Sequence, residues 1–167
     1  MRRYGLIGRR LGHSFSARYF AEKFAREAIA DCIYSLYELP AIEDLPGLLA
    51  ATPDLRGFNV TIPYKQAVIP YLDDLAPEAL CIGAVNCVRR EADGRLTGFN
   101  TDTDGLRLAL AELLDPADLP EQALVLGTGG AAQAVQYVLS GMGISFDAVS
   151  RDPARARYTL SLIHISE

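Results

Sequence analysis

Ala123-Leu124-Val125-Leu126-Gly127-Thr128-Gly129-Gly130-Ala131-Ala132 is an apolar run that passes straight into a glycine-rich turn and then into small residues. The apolar residues have the composition of a buried parallel strand. The small residues predict a helix to about Leu139, closed by Gly141 and Gly143. Phe146-Asp147-Ala148-Val149-Ser150 reads as the next strand. Strand, helix and strand make one βαβ unit of about thirty residues, and such a unit implies a parallel sheet. Gly127-x-Gly129-x-x-Ala132 lies between strand and helix, the setting in which this spacing points to a dinucleotide site. Gly127 permits the tight turn, Gly129 lets the backbone approach a pyrophosphate, and Ala132 allows close packing of helix on strand. Gly130 and Ala131 open the helix whose N-terminus faces the anion.

The discrimination between NAD and NADP is commonly made at the end of the second strand, where an acid holds the ribose 2′-hydroxyl. Here that position is Ser150, followed by Arg151. A guanidinium pairs with a phosphate through charge-assisted bonds, which favours NADP. Asp152 is an acid nearby that would serve NAD, or else caps a short helix from Pro153.

Towards the N-terminus the same alternation continues. Tyr4 to Ile7 is a short apolar strand ending at Gly8. Gly8 to Ser14 is a loop with His13, and Ser14 or Ser16 caps a helix carrying Phe20, Phe24 and Ala28 on one face. Cys32 to Leu39 is a second strand stopped by Pro40, followed by a helix over Ile42 to Ala51. A third strand leads into Asn59. This βαβα order predicts an α/β fold with a mostly parallel sheet. Residues 66–83 read as irregular helix broken by Pro70 and Pro77. Ala84 to Val88 and Arg95 to Phe99 flank Asp93-Gly94, a hairpin signal, so a ribbon presents Asn86 and Asn100 on one side. Asn100 to Gly105 starts a helix whose apolar face is Leu106, Leu110, Leu113 and Leu114. Asp115 to Glu121, with two prolines, is the candidate domain boundary.

Bulk composition narrows the classes. The chain has 167 residues, 50% of them hydrophobic and 22% charged, enough for one ordinary domain or two small ones with a real core. The formal charge of −5 comes without a basic stripe, which argues against a nucleic-acid partner. No apolar run approaches the roughly 18 residues of a membrane span, and the N-terminus reads as a strand, not a signal peptide. Cys32, Cys81 and Cys87 show no paired or metal-ligand spacing. They read as small packing residues in a reducing cytoplasm, with no metal site.

Asn59-Val60-Thr61-Ile62-Pro63-Tyr64-Lys65 puts an amide, a hydroxyl and an amine where a strand breaks into a loop. Loops at strand ends are where α/β proteins place their chemistry. Together with Asn86, Asn100, Thr101 and Asp102 these residues suit a small polyhydroxylated molecule. Lys65 and Asp102 are the obvious acid–base pair: a ketone reduced by hydride needs a proton at its oxygen, which a lysine tuned to about pH 7–8 supplies. A structural salt bridge is the other reading of the same pair.

On Ser14-Phe15-Ser16, Asn59 to Lys65, Gly83-Ala84-Val85-Asn86, Asn100-Thr101-Asp102 and Gly127 to Ala131, the chain resembles shikimate dehydrogenase over about residues 4–156. Cys87 stands where that family often has threonine. The resemblance implies reversible NADP-dependent reduction of 3-dehydroshikimate to shikimate, in the cytoplasm, on the route to chorismate and the aromatic amino acids, with a homodimer possible. It implies that Ser14 and Ser16 hold the substrate carboxylate and that Thr61, Asn86 and Asp102 bind ring hydroxyls. Lys65 would be the acid/base, kept in register by Asp102. Gly127, Gly129, Gly130 and Ala131 would hold the NADP pyrophosphate, and Arg151 its 2′-phosphate. The implied architecture is a substrate-binding α/β domain over 1–102, a connecting helix and linker over 103–119, and part of a Rossmann domain over 120–156.

Two departures accompany the resemblance. A dinucleotide fold uses two βαβ halves, and the chain carries strand, helix and strand of one. The expectation is therefore a C-terminally truncated copy, whose turnover is in doubt. Residues 157–167 read as an atypical, non-native tail, so His164 is given no role. A quinate-type dehydrogenase using NAD and a non-catalytic shikimate-binding fragment are the alternatives.

Overall fold

The computed structural model describes residues 1–150, 152, 154, 158 and 159. The chain forms two compact units, Met1–Leu80 with Val85–Phe99, and Cys81–Ala84 with Asn100–Glu167.

The first unit is built on a six-stranded sheet. Its strands are β1 (Arg2–Gly8), β2 (Cys32–Glu38), β3 (Leu55–Val60), β4 (Asp74–Leu75), β5 (Cys87–Arg90) and β6 (Leu96–Phe99), in the order β2-β1-β3-β5-β6-β4. β1 runs parallel to both β2 and β3. β5 runs antiparallel to β3 and to β6. Its helices are α1 (Ser16–Arg26), α2 (Leu45–Ala51) and α3 (Tyr64–Ala67), and the chain leaves it at Leu80 within α4 (Pro77–Ile82). Ile7, Leu45, Leu55, Val60, Val68, Val85 and Val88 are fully buried and share one core cluster with Phe58 and Tyr64. Each such aliphatic side chain contributes about 1.5–3 kcal/mol by leaving water.

The expected strands and helices form, with local differences that have physical causes. The run Ile42 to Ala51 is a 3-10 turn at Ile42–Asp44 followed by α2, because Pro46 suits the start of a helix and not its middle. Residues 66–83 hold a two-residue strand, β4, too short to leave a periodic signal. The hairpin forms, but its strand begins at Cys87, not Ala84. Its loop spans Ala92 to Gly94, closed by Glu91 N–H donating to the Arg95 carbonyl at 2.8 Å. Cys81 is exposed, whereas Cys32 and Cys87 are half-buried, so only the latter two pack as expected.

The second unit contains α5 (Asp102–Leu113), β7 (Gln122–Leu126), α6 (Gly130–Gly141), β8 (Ser145–Ser150) and β9 (Tyr158–Thr159). The three strands form a parallel sheet in the order β7-β8-β9. Tyr158 and Thr159, read from sequence as part of an odd tail, pair with Val149 and Ser150. Residues 157 and 160–167 of that tail, His164 among them, lie outside the described residues. Leu110 and Leu114 of the α5 region pack with Val125, Leu139 and Ile144. Leu113 does not; it is 78% exposed. β7 also departs from expectation. Only Val125 in it is buried, packed with Leu139 and Ile144, while Leu124 and Leu126 alternate with it onto the other face and are exposed.

Two helices end in the same way with different residues. At the end of α6, Ile144 N–H donates to the Leu139 carbonyl and Gly143 N–H to that of Ser140, with Gly143 at φ +74°. At the end of α1, Ile29 N–H donates to Phe24 and Ala28 N–H to Ala25, with Ala28 at φ +55°. Both are Schellman closures, and the left-handed position favours glycine. Ala28 was expected on the apolar face of the helix; it is instead the residue that terminates it. Ala28→Gly should therefore stabilise the first unit by about 1 kcal/mol, and Gly143→Ala should destabilise the second by a similar amount. Urea unfolding of each variant checks this; a lowered midpoint for Ala28→Gly would contradict the strain argument.

Candidate active site

β1 ends at Gly8 and β3 ends at Val60, side by side in the same direction. β5 runs the opposite way, so its first residue, Cys87, pairs with Asn59 at that same edge of the sheet. Ser14 and Ser16 follow β1, Thr61 and Lys65 follow β3, and Asn86 precedes β5. The topology therefore gathers these five residues at one edge of the first unit.

The loop after β1 is pinned at several points. Glu38, at the end of β2, accepts the Leu11 N–H on its Oε1 at 2.5 Å. Leu11 is buried, and its carbonyl accepts the Ser14 N–H at 2.8 Å. Ser14 Oγ accepts the N–H of Ser16, the first residue of α1, at 3.2 Å. Ser14, two residues ahead of the helix, thus closes a turn, and no side chain caps α1 itself. Ser14 and Ser16 are both half-buried, while His13 is exposed.

The loop after β3 is equally tied down. Thr61 N–H donates to the Ile7 carbonyl at 2.9 Å, and Tyr64 N–H to the Thr61 carbonyl at 2.9 Å. The Ile62–Pro63 peptide is cis. The buried Tyr64 hydroxyl donates to the Leu39 carbonyl at 2.6 Å. Lys65 is half-buried, and its carbonyl accepts the Val85 N–H at 2.7 Å. That bond ties the helical turn bearing Lys65 to the chain just ahead of Asn86.

Asn86 is buried, and its carbonyl accepts both the Val60 N–H at 2.9 Å and Asn59 Nδ2 at 3.3 Å. Asn86 N–H donates to Phe99 at 3.0 Å. On the α1 side of the sheet an apolar cavity of about 420 Å³ is lined by Tyr4, Phe20, Phe24, Tyr34, Phe58 and Val88. Burial pushes the Cys87 thiol up from its ordinary value, partly offset by the nearby Arg89.

In the second unit, Asp102 opens α5. Its N–H donates to Asn100 Oδ1 at 3.2 Å, while Asn100 Nδ2 donates to the Ala84 carbonyl at 3.0 Å. Thr103 Oγ1 donates to the Asn100 carbonyl at 3.0 Å. Asn100 is thus buried, and its amide braces the helix start. The acidic Asp102 and Asp104 lie in the first turn, where they complement the helix dipole.

The glycine turn fits an anionic dinucleotide. Gly127 has φ +116°, and a Cβ there would lie 4.0 Å from the Ala132 Cβ, which places helix and strand as close as the small residue allows. A Cβ at Gly129 would meet nothing within 4 Å, so the backbone is open to an approaching group. α6 begins at Gly130 without a side-chain cap. Its first N–H groups are available to an anion. Ser150 Oγ lies 3.4 Å from Thr128 Oγ1 and accepts the Asp152 N–H at 3.1 Å. Asp152 Oδ1 accepts the Ala154 N–H at 3.0 Å, so this acid is engaged in its own turn. Arg151 lies outside the described residues. Among the described residues, no group of three His, Cys, Asp or Glu side chains would hold a metal ion.

The family described as the shikimate dehydrogenase substrate binding domain matches residues 6–88. A curated shikimate dehydrogenase (NADP(+)) from Syntrophomonas wolfei is 40% identical over 162 residues, which is 95% of this chain and 54% of that protein. The chain belongs to the shikimate dehydrogenase family. It spans about half the length of the curated relatives it matches. Among solved structures of the family, the shikimate 5-dehydrogenase of Thermus thermophilus in complex with NADP(H) and shikimate is 39% identical, with a TM-score of 0.79. That likeness covers 94% of this chain and 59% of that one. The quinate dehydrogenase of Corynebacterium glutamicum in complex with NAD is 32% identical with a TM-score of 0.81, over 93% of this chain and 57% of that one.

The sequence motifs single out the residues at the sheet edge but give Gly8 no role beyond ending a strand. A Cβ on Gly8 would lie 2.7 Å from both Leu11 Cδ2 and Thr61 Cγ2. The two site loops cross over this residue with no room for a side chain. Gly8→Ala should cost about 1–3 kcal/mol in stability through overpacking. It should also weaken ligand binding at the sheet edge, measured by calorimetry with shikimate. Unchanged stability and affinity would show that the loops part without cost.

Proposed function

We propose that this chain carries the substrate side and the opening of the cofactor side of an NADP-dependent shikimate dehydrogenase, which interconverts 3-dehydroshikimate and shikimate. The observation that supports it is the convergence of Ser14, Ser16, Thr61, Lys65 and Asn86 at one edge of the first sheet. Ser14 and Ser16 donate their hydroxyls to the substrate carboxylate. Thr61, Asn86 and Asp102 bind the ring hydroxyls. NADPH, when bound, supplies the hydride. Lys65 Nζ holds the proton that the developing alkoxide oxygen takes, and accepts it back in the oxidative direction. Asp102 keeps the ammonium aligned with that oxygen. Gly127, Gly129, Gly130 and Ala131 would hold the pyrophosphate through backbone N–H groups, and Arg151 the 2′-phosphate. A domain boundary near residue 102 and a Rossmann segment over 120–156 belong to this reading, as do a cytoplasmic setting and a homodimer. The thiols of Cys32, Cys81 and Cys87, free among the described residues, suit a reducing compartment.

Two other readings have specific support. The likeness to a quinate dehydrogenase solved with NAD, and Asp152 just past β8, favour a ring acid related to shikimate with NAD as cofactor. The placement of Ser14, Ser16, Thr61 and Asn86 within the first unit alone favours shikimate binding without turnover.

Following NADPH absorbance with 3-dehydroshikimate, beside calorimetry with shikimate, separates these. Turnover that prefers NADP to NAD supports the first reading; turnover that prefers NAD with quinate supports the second. Binding without turnover leaves the third. If turnover is seen, Lys65→Ala should lower kcat by about 10²–10⁴ with little change in KM, and equal turnover would remove Lys65 as the acid/base. Arg151→Ala should raise the KM for NADP and leave that for NAD unchanged.

A further inference from the structure

One half-buried phenol stands beside the proposed substrate site without a part in it. Tyr34, in β2, donates its O–H to Asn59 Oδ1 at 2.8 Å. Asn59 passes the connection on, because its Nδ2 donates to the Asn86 carbonyl at 3.3 Å. The same carbonyl takes the Val60 N–H, the last of β3 before Thr61. Tyr34 is thus linked to the two loops that present Thr61 and Asn86.

The other side of Tyr34 reaches α1. Its ring stacks on Phe20 with centroids 4.2 Å apart and planes 12° apart. Phe20 is four residues after Ser16, so both lie on one face of α1, a turn apart. Burial is the main cause that pushes the Tyr34 phenol well above its ordinary value, and the Cys87 thiol adds to it. The Ser16 side chain pulls the other way. The phenol therefore stays protonated, with one O–H to give and an oxygen that still accepts.

We propose that Tyr34 is a positioning residue that sets the span between the carboxylate-binding end of the site, at Ser14 and Ser16, and the hydroxyl-binding end, at Thr61 and Asn86. Its ring locates α1 through Phe20, and its hydroxyl locates Asn59 and, through it, Asn86. The site so braced selects hydroxylated ring acids in which carboxylate and hydroxyls stand a fixed distance apart. This inference rests on the shikimate reading above.

Tyr34→Phe tests it, because the ring and its stack remain and only the O–H is lost. In the full 167-residue chain, calorimetry with shikimate should show a Kd raised about 5–10-fold, the worth of one hydrogen bond. A purely structural role would lower thermal stability and leave Kd unchanged; that result overturns the proposal. The double variant Ser16→Ala/Tyr34→Phe gives a second readout. If Tyr34 positions Ser16, the joint loss in affinity is smaller than the product of the two single losses, and a multiplicative result overturns the link to α1. Should Tyr34→Phe not fold, Phe20→Leu keeps the O–H and removes the stack; it too should raise Kd, and an unchanged value refutes the proposal. Failure of the wild-type chain to bind shikimate would overturn the parent reading, an outcome distinct from wild-type binding that Tyr34→Phe leaves intact.

Discussion

The Asn86 carbonyl accepts two donors, the Val60 N–H and Asn59 Nδ2, at the point where β5 meets β3 head-on. Much of the first unit depends on that meeting. In a wholly parallel sheet the start of a strand lies at the opposite edge from the ends of its neighbours. Because β5 is reversed, Asn86 enters the sheet where β1 and β3 leave it. Residues far apart in sequence, Ser16 and Asn86 among them, thereby come to one edge without a long connection. The reversal is also cheap, since β5 and β6 are joined by a short hairpin.

Rigidity behind that edge comes from a single apolar cluster. Ile7, Val60, Tyr64, Val68 and Val85 sit within it, each one or a few residues from a site group. Tyr64 shows how packing and polarity are combined. Its ring is buried and its hydroxyl satisfies the Leu39 carbonyl, so no buried acceptor is left without a donor there. Arg9 lies over the face of the same ring, with its guanidinium carbon 5.8 Å from the centroid. The loop after β1 and the loop after β3 are thus held by one side chain as well as by the bare crossing at Gly8.

The second unit leaves several of its described leucines in water. β7 exposes Leu124 and Leu126, and α5 exposes Leu108 and Leu113. Among the described residues, its cluster of Val125, Leu139 and Ile144 is small beside that of the first unit. An edge strand with apolar residues in water is a template for further pairing. Its glycine turn is nonetheless shaped by local rules alone: a left-handed Gly127, an open Gly129 and a helix start at Gly130.

Much of this was readable from the residues. The alternation of strands and helices, the Asp93-Gly94 hairpin and the glycine turn are local features, set by apolar periodicity, by proline and by glycine, and each needs only its own neighbours in sequence. Motif by motif, the residues also pointed to a family, and the fold agrees. Other features were decided only by tertiary contacts. Nothing local marks Tyr34 as the partner of Asn59, or Asn100 as a brace, because hydrogen bonds between strands depend on which strands become neighbours. Nor does the composition of β7 reveal that its leucines face water, since burial is set by what the sheet receives on each side. Gly8 is the clearest case. As a sequence letter it only ends a strand, whereas the crossing of two loops over its Cα leaves no space for a Cβ.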